Sequence, residues 1–240
     1  MNSFQAILQR AEARKGGHDA LMSLLPEPTS VQALRVQPDA FFVAEMTRSI
    51  FKSGFVWRVI DNKWPAFCEA FYDFDPARLM KLSDDEWEAY VHDKRIVRHR
   101  QKIQALRHNL WFVNDMVMQH GGFGQFLADW PQTELTDLFL FLKKKGSRLG
   151  GNTGQYFLQK AGKDCFALTH DVVQCLLMHG LDIRDNPVSQ KDLRLIQQTF
   201  NRWYDDTGLP YLHLSMIAAY SVGDNKILPG VRSEHGHRLD

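Results

Sequence analysis

The stretch KKKGSRLGGNTG, residues 143–154, does most to decide the fold of this 240-residue chain. The residues before it, from Leu135, have the apolar spacing of an amphipathic helix, which ends in three lysines and is closed by Gly146. The two glycines at 150 and 151 then permit a tight turn with a positive φ. A second helix is predicted to begin at about residue 152 or 153. The pattern therefore predicts two helices joined by a short glycine-rich turn, over about residues 135–162.

The turn between these two helices has the properties of a phosphate-binding site. The first N–H groups of the second helix lack partners within the helix and point outward, where a phosphate can accept their hydrogen bonds. The neighbouring lysines add an attraction to nucleic acid that does not depend on base sequence. The DNA-binding residues predicted in this segment are Lys144, Lys145, Arg148, Gly150, Gly151, Asn152 and Thr153. The alternative is an ordinary glycine C-cap followed by an ordinary helix start.

A second basic block, KRIVRHRQKIQALRHN, occupies residues 94–109. Its apolar residues recur at helical spacing, so its cations lie on the outer face of a helix. A solvated charged face is one interpretation, and a polyanionic partner is the other. Since the whole chain carries a net charge of only +1, such local clustering favours the polyanion. Arg98, Arg100 and Lys102 are the residues of this block predicted to bind DNA.

Helical periodicity extends to nearly every other segment, which predicts an all-α fold of about ten helices. Asp39 is predicted to cap a helix that stops at Gly54, and Ser83 with Glu86 has the spacing of a capping box. A shorter helix is predicted around Trp64, with Pro65 in its first turn. The runs VWRVI and FALT are compatible with short strands, although no partner strand is evident.

The composition is that of a soluble intracellular protein. Hydrophobic residues make up 44% of the chain and charged residues 24%, and no stretch approaches the roughly 20 apolar residues of a membrane span. The first residues lack the apolar core of a signal peptide. Three cysteines, Cys68, Cys165 and Cys175, favour a reducing compartment over a disulfide framework, so a cytoplasmic location is predicted.

The segment THDVVQC, residues 169–175, places Asp171 and Cys175 four residues apart on one helix face, beside His170. This spacing suits a metal, but zinc usually takes four ligands and no other pair with ligand spacing is present. The alternative is an acidic residue that favours the helix dipole and a buried thiol.

Several of these segments together resemble the DNA-3-methyladenine glycosylase I family of the helix–hairpin–helix DNA glycosylase superfamily. The resemblance lies in residues 74–109, which contain the run IxRHRxKIxA, in residues 142–162 and in LTHDVVQCL at 168–176. The segment SGFVW at 53–57 also agrees. The resemblance extends from about residue 39 to residue 177.

The resemblance implies a two-lobed helical fold that flips a damaged base into a cleft between the lobes and hydrolyses its N-glycosidic bond. Because 3-methyladenine is cationic, its glycosidic bond is already weakened, and no strong general acid is required. Trp57 matches the pocket tryptophan of the family, and Phe55 matches its apolar wedge. Each of the two aromatic residues has the alternative of being plain core.

The chain departs from the family at its polar site residues. The base-reading glutamate of the family falls on Ser49, and Glu45, one helical turn earlier, is the predicted substitute. The aspartate that the wider superfamily uses for catalysis falls on Thr169, with Asp171 two residues later. Glu45 and Asp171 are therefore the predicted catalytic residues, while Ser49 and Thr169 are predicted to line the base pocket.

The resemblance also bears on the metal. The zinc ligands of the family are an N-terminal Cys and His together with a His and a Cys on the last matching helix. Only Cys175 is present here and Asp171 replaces the His, so no metal and no cofactor are expected.

The predicted function is a monofunctional glycosylase for alkylated purines, 3-methyladenine above all, in damaged double-stranded DNA. The alternative is a non-catalytic DNA-binding protein that retains the glycosylase fold, and a third possibility is a helical scaffold without a DNA role. The predicted molecule is a monomer with no membrane partner. Residues 1–223 are predicted to form one two-lobed domain, followed by a flexible tail at 224–240.

Overall fold

The fold is built from helices throughout residues 4–223, which are the residues that this computed structural model describes. No strand occurs in this range, so the predicted all-α class is confirmed and the runs VWRVI and FALT are not strands. The α-helices of this range are α1 (Phe4–Lys15), α2 (His18–Met22), α3 (Val31–Arg35), α4 (Asp39–Lys52), α5 (Trp57–Ala70), α6 (Pro76–Leu79), α7 (Asp84–Ala89), α8 (Arg100–His120), α9 (Phe123–Asp129), α10 (Leu135–Lys145), α11 (Asn152–Lys160), α12 (His170–Met178), α13 (Gln190–Thr207) and α14 (Tyr211–Tyr220). Short 3-10 helices cover Tyr72–Phe74 and Gln132–Glu134.

The chain divides into two units. The middle unit comprises residues 29–163, and the end unit combines residues 1–28 with residues 164–240. In the middle unit α4 packs against α5, α8, α9 and α11; in the end unit α14 packs against α1, α12 and α13. The description as one two-lobed domain stays a prediction, and the tail at 224–240 lies outside the described residues.

Helix α4 is the centre of the middle unit because its apolar side chains recur every three to four residues. Phe42, Val43, Met46, Ile50 and Phe51 are all at most 1% exposed, as the periodicity predicts. Each such side chain stabilises the fold by roughly 1.5–3 kcal/mol relative to an exposed position. The opposite face of α4 is thereby left for polar side chains.

Helix α5 differs from the prediction. It begins at Trp57, so Pro65 lies in its interior and not in its first turn. An interior proline removes one helical hydrogen bond, and tertiary packing offsets this cost. Trp64 stacks on Phe67 and Phe74, with ring centroids 5.5 and 5.2 Å apart, and Phe67 is fully buried. Local sequence favours a break here, but the aromatic contacts hold the longer helix.

Of the two predicted helix N-terminal caps, one is confirmed and the other is wrong. The capping box of Ser83 and Glu86 is present in full at the start of α7, as predicted. The Asp39 prediction is wrong, because the N-cap residue of α4 is Pro38 and Asp39 already lies within the helix. The Asp39 carboxylate instead accepts a hydrogen bond from the Phe123 backbone N–H at 2.9 Å, at the first residue of α9. It therefore joins two helix starts that are distant in sequence.

Candidate active site and nucleic-acid interface

The glycine-rich turn has the predicted local structure. Helix α10 ends at Lys145 and α11 starts at Asn152, and we call α10, the turn and α11 the hairpin (residues 135–160). Gly151 has φ +58°, and no atom lies within 4 Å of the position that a Cβ would take. At Gly154, by contrast, a Cβ would collide with the Leu149 carbonyl oxygen. One glycine thus leaves open space at the start of α11, and the other allows the turn to close onto that helix.

The turn is also fixed from outside. The Asn109 side chain of α8 donates to the Ser147 carbonyl at 3.1 Å and accepts from the Ser147 N–H at 2.7 Å. The next residue, Arg148, has φ +59°, a conformation that non-glycine residues adopt only rarely. Since Asn109 is buried, this pair of hydrogen bonds holds the turn in one position.

Most of the basic residues predicted to bind DNA are exposed. The hairpin residues Lys144, Lys145 and Arg148 are exposed, and so are Gly151 and Asn152, whereas Gly150 and Thr153 are half-buried. In the second block, Arg98 is exposed, and Arg100 forms an ion pair with Glu88 through both of its terminal nitrogens. The hairpin therefore presents the larger group of exposed cations.

Lys102 is a correction to the predicted DNA-binding set. It is 4% exposed, and its Nζ donates to the backbone carbonyls of Phe51 at 3.1 Å and Ser53 at 2.7 Å. Carbonyls at a helix C-terminus lack partners within the helix, and a cation satisfies them. Burial, followed by the nearby Arg148 charge, lowers the pKa of Lys102. Lys102 thus completes the end of α4 and does not face a phosphate.

Glu45 is the half-buried carboxylate on the polar side of α4. Its side chain is 15% exposed, and an oxygen lies 3.9 Å from the Arg48 guanidinium. Burial raises the pKa of Glu45 above its ordinary value, although the charges of Arg48, Lys160 and Lys52 act in the opposite direction. A carboxyl group in this environment stays protonated to a higher pH than an exposed one does.

Trp57 is the first residue of α5, which packs against α4, and its side chain is half-buried. Its indole contacts the Tyr156 ring of α11 edge-on, with centroids 6.0 Å apart. Phe55, in the connection between α4 and α5, is 42% exposed, and Val56 beside it is 65% exposed. A half-buried indole with exposed apolar residues on the preceding loop suits a stacking platform with an adjacent wedge.

Two cations share one carboxylate between α4 and α5. The Asp61 Oδ1 atom accepts from Arg48 Nη2 at 2.5 Å and from Lys52 Nζ at 2.8 Å. Lys52 Nζ also lies 5.4 Å from the centroid of the Trp57 ring. Partial burial opposes ionisation of Asp61, but the hydrogen bonds from Lys52 and Arg48 lower its pKa overall. We call these five residues, Glu45, Arg48, Lys52, Trp57 and Asp61, the α4–α5 cluster.

Five residues at this site were not predicted from the sequence: Arg48, Lys52 and Asp61 of α4 and α5, and Tyr156 and Lys160 of α11. A signal for the first group was present, because positions 45, 48, 49 and 52 fall on one face of a helix. Asp61 is one turn after Trp57 in α5, but that α5 starts at Trp57 was not predicted. The contribution of α11 depends on the packing of α11 against α4, which no local pattern specifies.

The remaining pocket candidates lie in different places. Ser49 is half-buried on α4, one turn after Glu45, in the middle unit. Thr169 and Asp171 belong to the end unit. The Thr169 hydroxyl oxygen accepts from the Val172 N–H at 3.3 Å and so caps α12, while Asp171 is in its first turn. A Cβ at Gly223 would lie 2.7 Å from an Asp171 oxygen, so the chain passes close to that carboxylate.

The surroundings of Cys175 do not suit zinc. Its sulfur lies 3.4 Å from the Ser221 hydroxyl oxygen. Burial raises the pKa of the thiol, and the Arg10 charge only partly opposes this effect. Within residues 4–223 no three His, Cys, Asp or Glu side chains are grouped as metal ligands. A buried thiol that stays protonated is a poor metal donor, because the thiolate is the form that binds a metal.

Residues 36–138 match the sequence profile of the methyladenine glycosylase family. The chain is also 27% identical over 147 residues to DNA-3-methyladenine glycosylase 1 of Escherichia coli, an alignment that covers 54% of this chain and 77% of that protein. The resemblance to the methyladenine glycosylases is confirmed. The profile match includes α4 and α5 in full, and hence every residue of the α4–α5 cluster.

One further similarity of sequence and one of fold accompany these matches. The DNA-3-methyladenine glycosylase of Haemophilus influenzae is 29% identical over 58 residues, which are 24% of this chain and 31% of that protein. The 8-oxoguanine glycosylase/lyase of Methanocaldococcus jannaschii, solved in complex with a 15mer DNA containing 8-oxoguanine, superimposes with a TM-score of 0.55. That superposition covers 90% of this chain and 96% of the archaeal chain at 13% identity, and so shows a shared fold.

Proposed function

We propose that this chain is a DNA glycosylase that hydrolyses the N-glycosidic bond of alkylated purines, 3-methyladenine in particular, in double-stranded DNA. The observation that carries the proposal is that hairpin side chains reach the α4–α5 cluster. Tyr156 contacts the Trp57 ring, and the Lys160 charge acts on the Glu45 carboxyl. Helix α11, which begins at the proposed phosphate-binding turn, thus also contacts the proposed base site, an arrangement that suits base flipping. The relatives named DNA-3-methyladenine glycosylase support the substrate.

The hairpin would hold the DNA backbone. The open space at Gly151 lets a phosphate approach the first N–H groups of α11, and the exposed Lys144, Lys145 and Arg148 surround that approach. With a net charge of +1 the molecule has little long-range attraction for DNA. Binding should therefore depend on these local contacts.

Phe55 and Trp57 would handle the flipped base. An exposed phenylalanine on a loop can fill the space that the base leaves in the duplex, which lowers the cost of unstacking. The half-buried indole of Trp57 then provides a surface on which the base stacks. Phe55 lies in the segment that joins α4 to α5, and Trp57 is the first residue of α5, so flipping and stacking are spatially coupled.

Glu45 would stabilise the reaction at the sugar. As the glycosidic bond breaks, the base leaves with the bonding electron pair and positive charge develops on the sugar, which a carboxylate stabilises. Water adds its oxygen to the anomeric carbon and loses a proton to solvent or to Glu45. The raised pKa of Glu45 suits this proton acceptance. Asp171 is the second carboxylate proposed for this reaction, and no lysine nucleophile is invoked, so the proposed enzyme has no lyase activity.

The deciding experiment measures free base released from duplex DNA treated with a methylating agent. We expect the wild-type protein to release 3-methyladenine from the treated duplex and none from an untreated duplex. A preparation that binds the duplex but releases no base above background would favour the alternative, a non-catalytic DNA-binding protein. This alternative is favoured by the family resemblance, which places Ser49 at the position of the base-reading glutamate.

The proposed enzyme acts as a monomer in the cytoplasm. Its three cysteines are free, and two of them, Cys165 and Cys175, are buried, which suits a reducing compartment. None of the helices in residues 4–223 has the length and apolar character of a membrane span.

A further inference from the structure

We propose that Lys52 determines whether the base site prefers cationic or neutral bases. Its ammonium group supplies at Trp57 the positive charge that a cationic base would otherwise bring. The site therefore accepts neutral purine bases in addition to cationic ones. This inference rests on the proposed function, because it assigns a substrate class to the same site. It adds to that function a residue whose role is selection between bases.

The geometry places Lys52 against the stacking platform. Its Nζ lies 5.4 Å from the Trp57 ring centroid, which is within the range of a cation–π contact. The side chain is only 19% exposed, so water screens this charge less than it screens the charge of a surface lysine. The ion pair with Asp61 at 2.8 Å fixes the ammonium in that position.

A cationic base gains from an indole because positive charge is attracted to the face of the ring. At Trp57 this attraction already acts on the Lys52 ammonium. A second cation at the same ring gains less from it and is repelled by the first. A neutral purine keeps its stacking and dispersion energy and meets no such repulsion.

The neighbouring charges do not cancel this effect. Asp61 forms ion pairs with both Lys52 and Arg48, so one carboxylate is shared between two cations. Glu45 adds a second carboxylate, and the charge of Lys160 from α11 adds a third cation near it. These linked groups, three cations and two carboxylates, carry a formal excess of one positive charge, and Lys52 is the member of the group that lies at the Trp57 ring.

The test compares Lys52→Gln with the wild type on two duplexes. One duplex carries cationic 3-methyladenine and 7-methylguanine from methylation, and the other carries neutral hypoxanthine at a single position. We expect Lys52→Gln to raise the ratio of cationic to neutral base release about three- to ten-fold. Lys52→Arg, which keeps the charge, should retain the wild-type ratio. Lys81→Gln, at an exposed position outside the α4–α5 cluster, is the control for loss of one positive charge.

An unchanged ratio in Lys52→Gln, or the same change in Lys81→Gln, would overturn the inference while leaving the glycosylase function intact. If the wild type releases neither class of base, the proposed function fails instead. In that case the role of Lys52 is tested by measuring, through tryptophan fluorescence, the binding of two small aromatic probes of matched size, 1-methylnicotinamide (cationic) and nicotinamide (neutral). Relative to the wild type, Lys52→Gln should bind the cationic probe more tightly than the neutral one. Trp57→Phe identifies the indole whose fluorescence responds. An equal preference for the two probes in Lys52→Gln and in the wild type would contradict the role proposed for Lys52.

Discussion

Glu45 shows how a single residue acquires reactivity from its surroundings. On the sequence it is one acidic residue among 28, but on α4 it is half-buried and its pKa is raised. We predict that Glu45→Gln lowers base release about a hundred-fold, because the variant keeps the shape of the side chain and loses its charge. The measurement is base release under single-turnover conditions. Glu69→Gln, whose side chain is 72% exposed on α5, is the matched control.

The same residue predicts a pH dependence. Glu45 is uncharged below its raised pKa, so activity that needs the carboxylate falls as the pH falls through that value. The acidic limb of the wild-type pH profile should therefore lie above the ordinary glutamate value of 4.5. Glu45→Gln should lack this limb, and a variant that retains it would assign the limb to another group.

Trp57 is the second residue whose role the structure sharpens. Stacking on an aromatic side chain is worth roughly 1–3 kcal/mol per base, so Trp57→Ala should slow base release about ten- to a hundred-fold. Affinity for undamaged duplex should change little, because an unflipped base does not reach the platform. Trp111→Ala, at an indole 54% exposed on α8, controls for the loss of a tryptophan. A large fall in melting temperature, with binding and base release lost in parallel, would instead make Trp57 a core residue.

At the scale of the element, the hairpin contains one glycine in a tightly packed position and one with open space around it. Gly154 allows the turn to approach α11, whereas Gly151 leaves free space before it. We predict that Gly151→Asp weakens binding to any duplex, because it places a side chain and a negative charge where a phosphate approaches. The measurement is duplex affinity at fixed salt, for several unrelated sequences.

Gly180→Asp provides the matched control for that variant. Gly180 also has a positive φ and open space around a Cβ position, but it lies outside the hairpin, just after α12. Both substitutions place an aspartate at a positive φ with open space around its Cβ, and only Gly151 lies in the hairpin. Equal affinities of the two variants and the wild type would remove the hairpin from the DNA interface.

At the scale of the whole molecule, direct contacts join the first described helix of the end unit to its last. Arg14 donates from its guanidinium to the Tyr220 and Val222 carbonyls, at 3.0 and 3.1 Å, and so joins α1 to the end of α14. The thiol of Cys175 lies against Ser221 in the same unit. Direct hydrogen bonds and packing thus connect its first and last helices.

We predict that the purified protein holds no stoichiometric zinc and that a chelator leaves its melting temperature unchanged. The reason is that the ligand set is incomplete, since within residues 4–223 no three His, Cys, Asp or Glu side chains are grouped as metal ligands. Elemental analysis of the purified chain provides the measurement. One tightly held zinc per chain would contradict the prediction and would direct attention to His18, His170, Asp171 and Cys175.

The sequence by itself determined the features that depend on nearby residues. The capping box at Ser83, the end of α10 at Lys145 and the start of α11 at Asn152 are where the pattern predicts them. Helix starts and stops are set by hydrogen bonds and φ angles that span about four residues, which a local pattern contains. The buried face of α4 follows from periodicity for the same reason.

Only the tertiary structure decided which side chains meet. Lys102 and Arg100 are two residues apart in one basic run, yet packing of α8 on α4 buries the first under the Phe51 and Ser53 carbonyls and leaves the second exposed. The position of Lys52 at Trp57 likewise depends on how α4 packs on α5. Such contacts depend on the packing of whole helices, which is determined by apolar side chains elsewhere on those helices, so the sequence around a polar residue does not specify its partner on another helix.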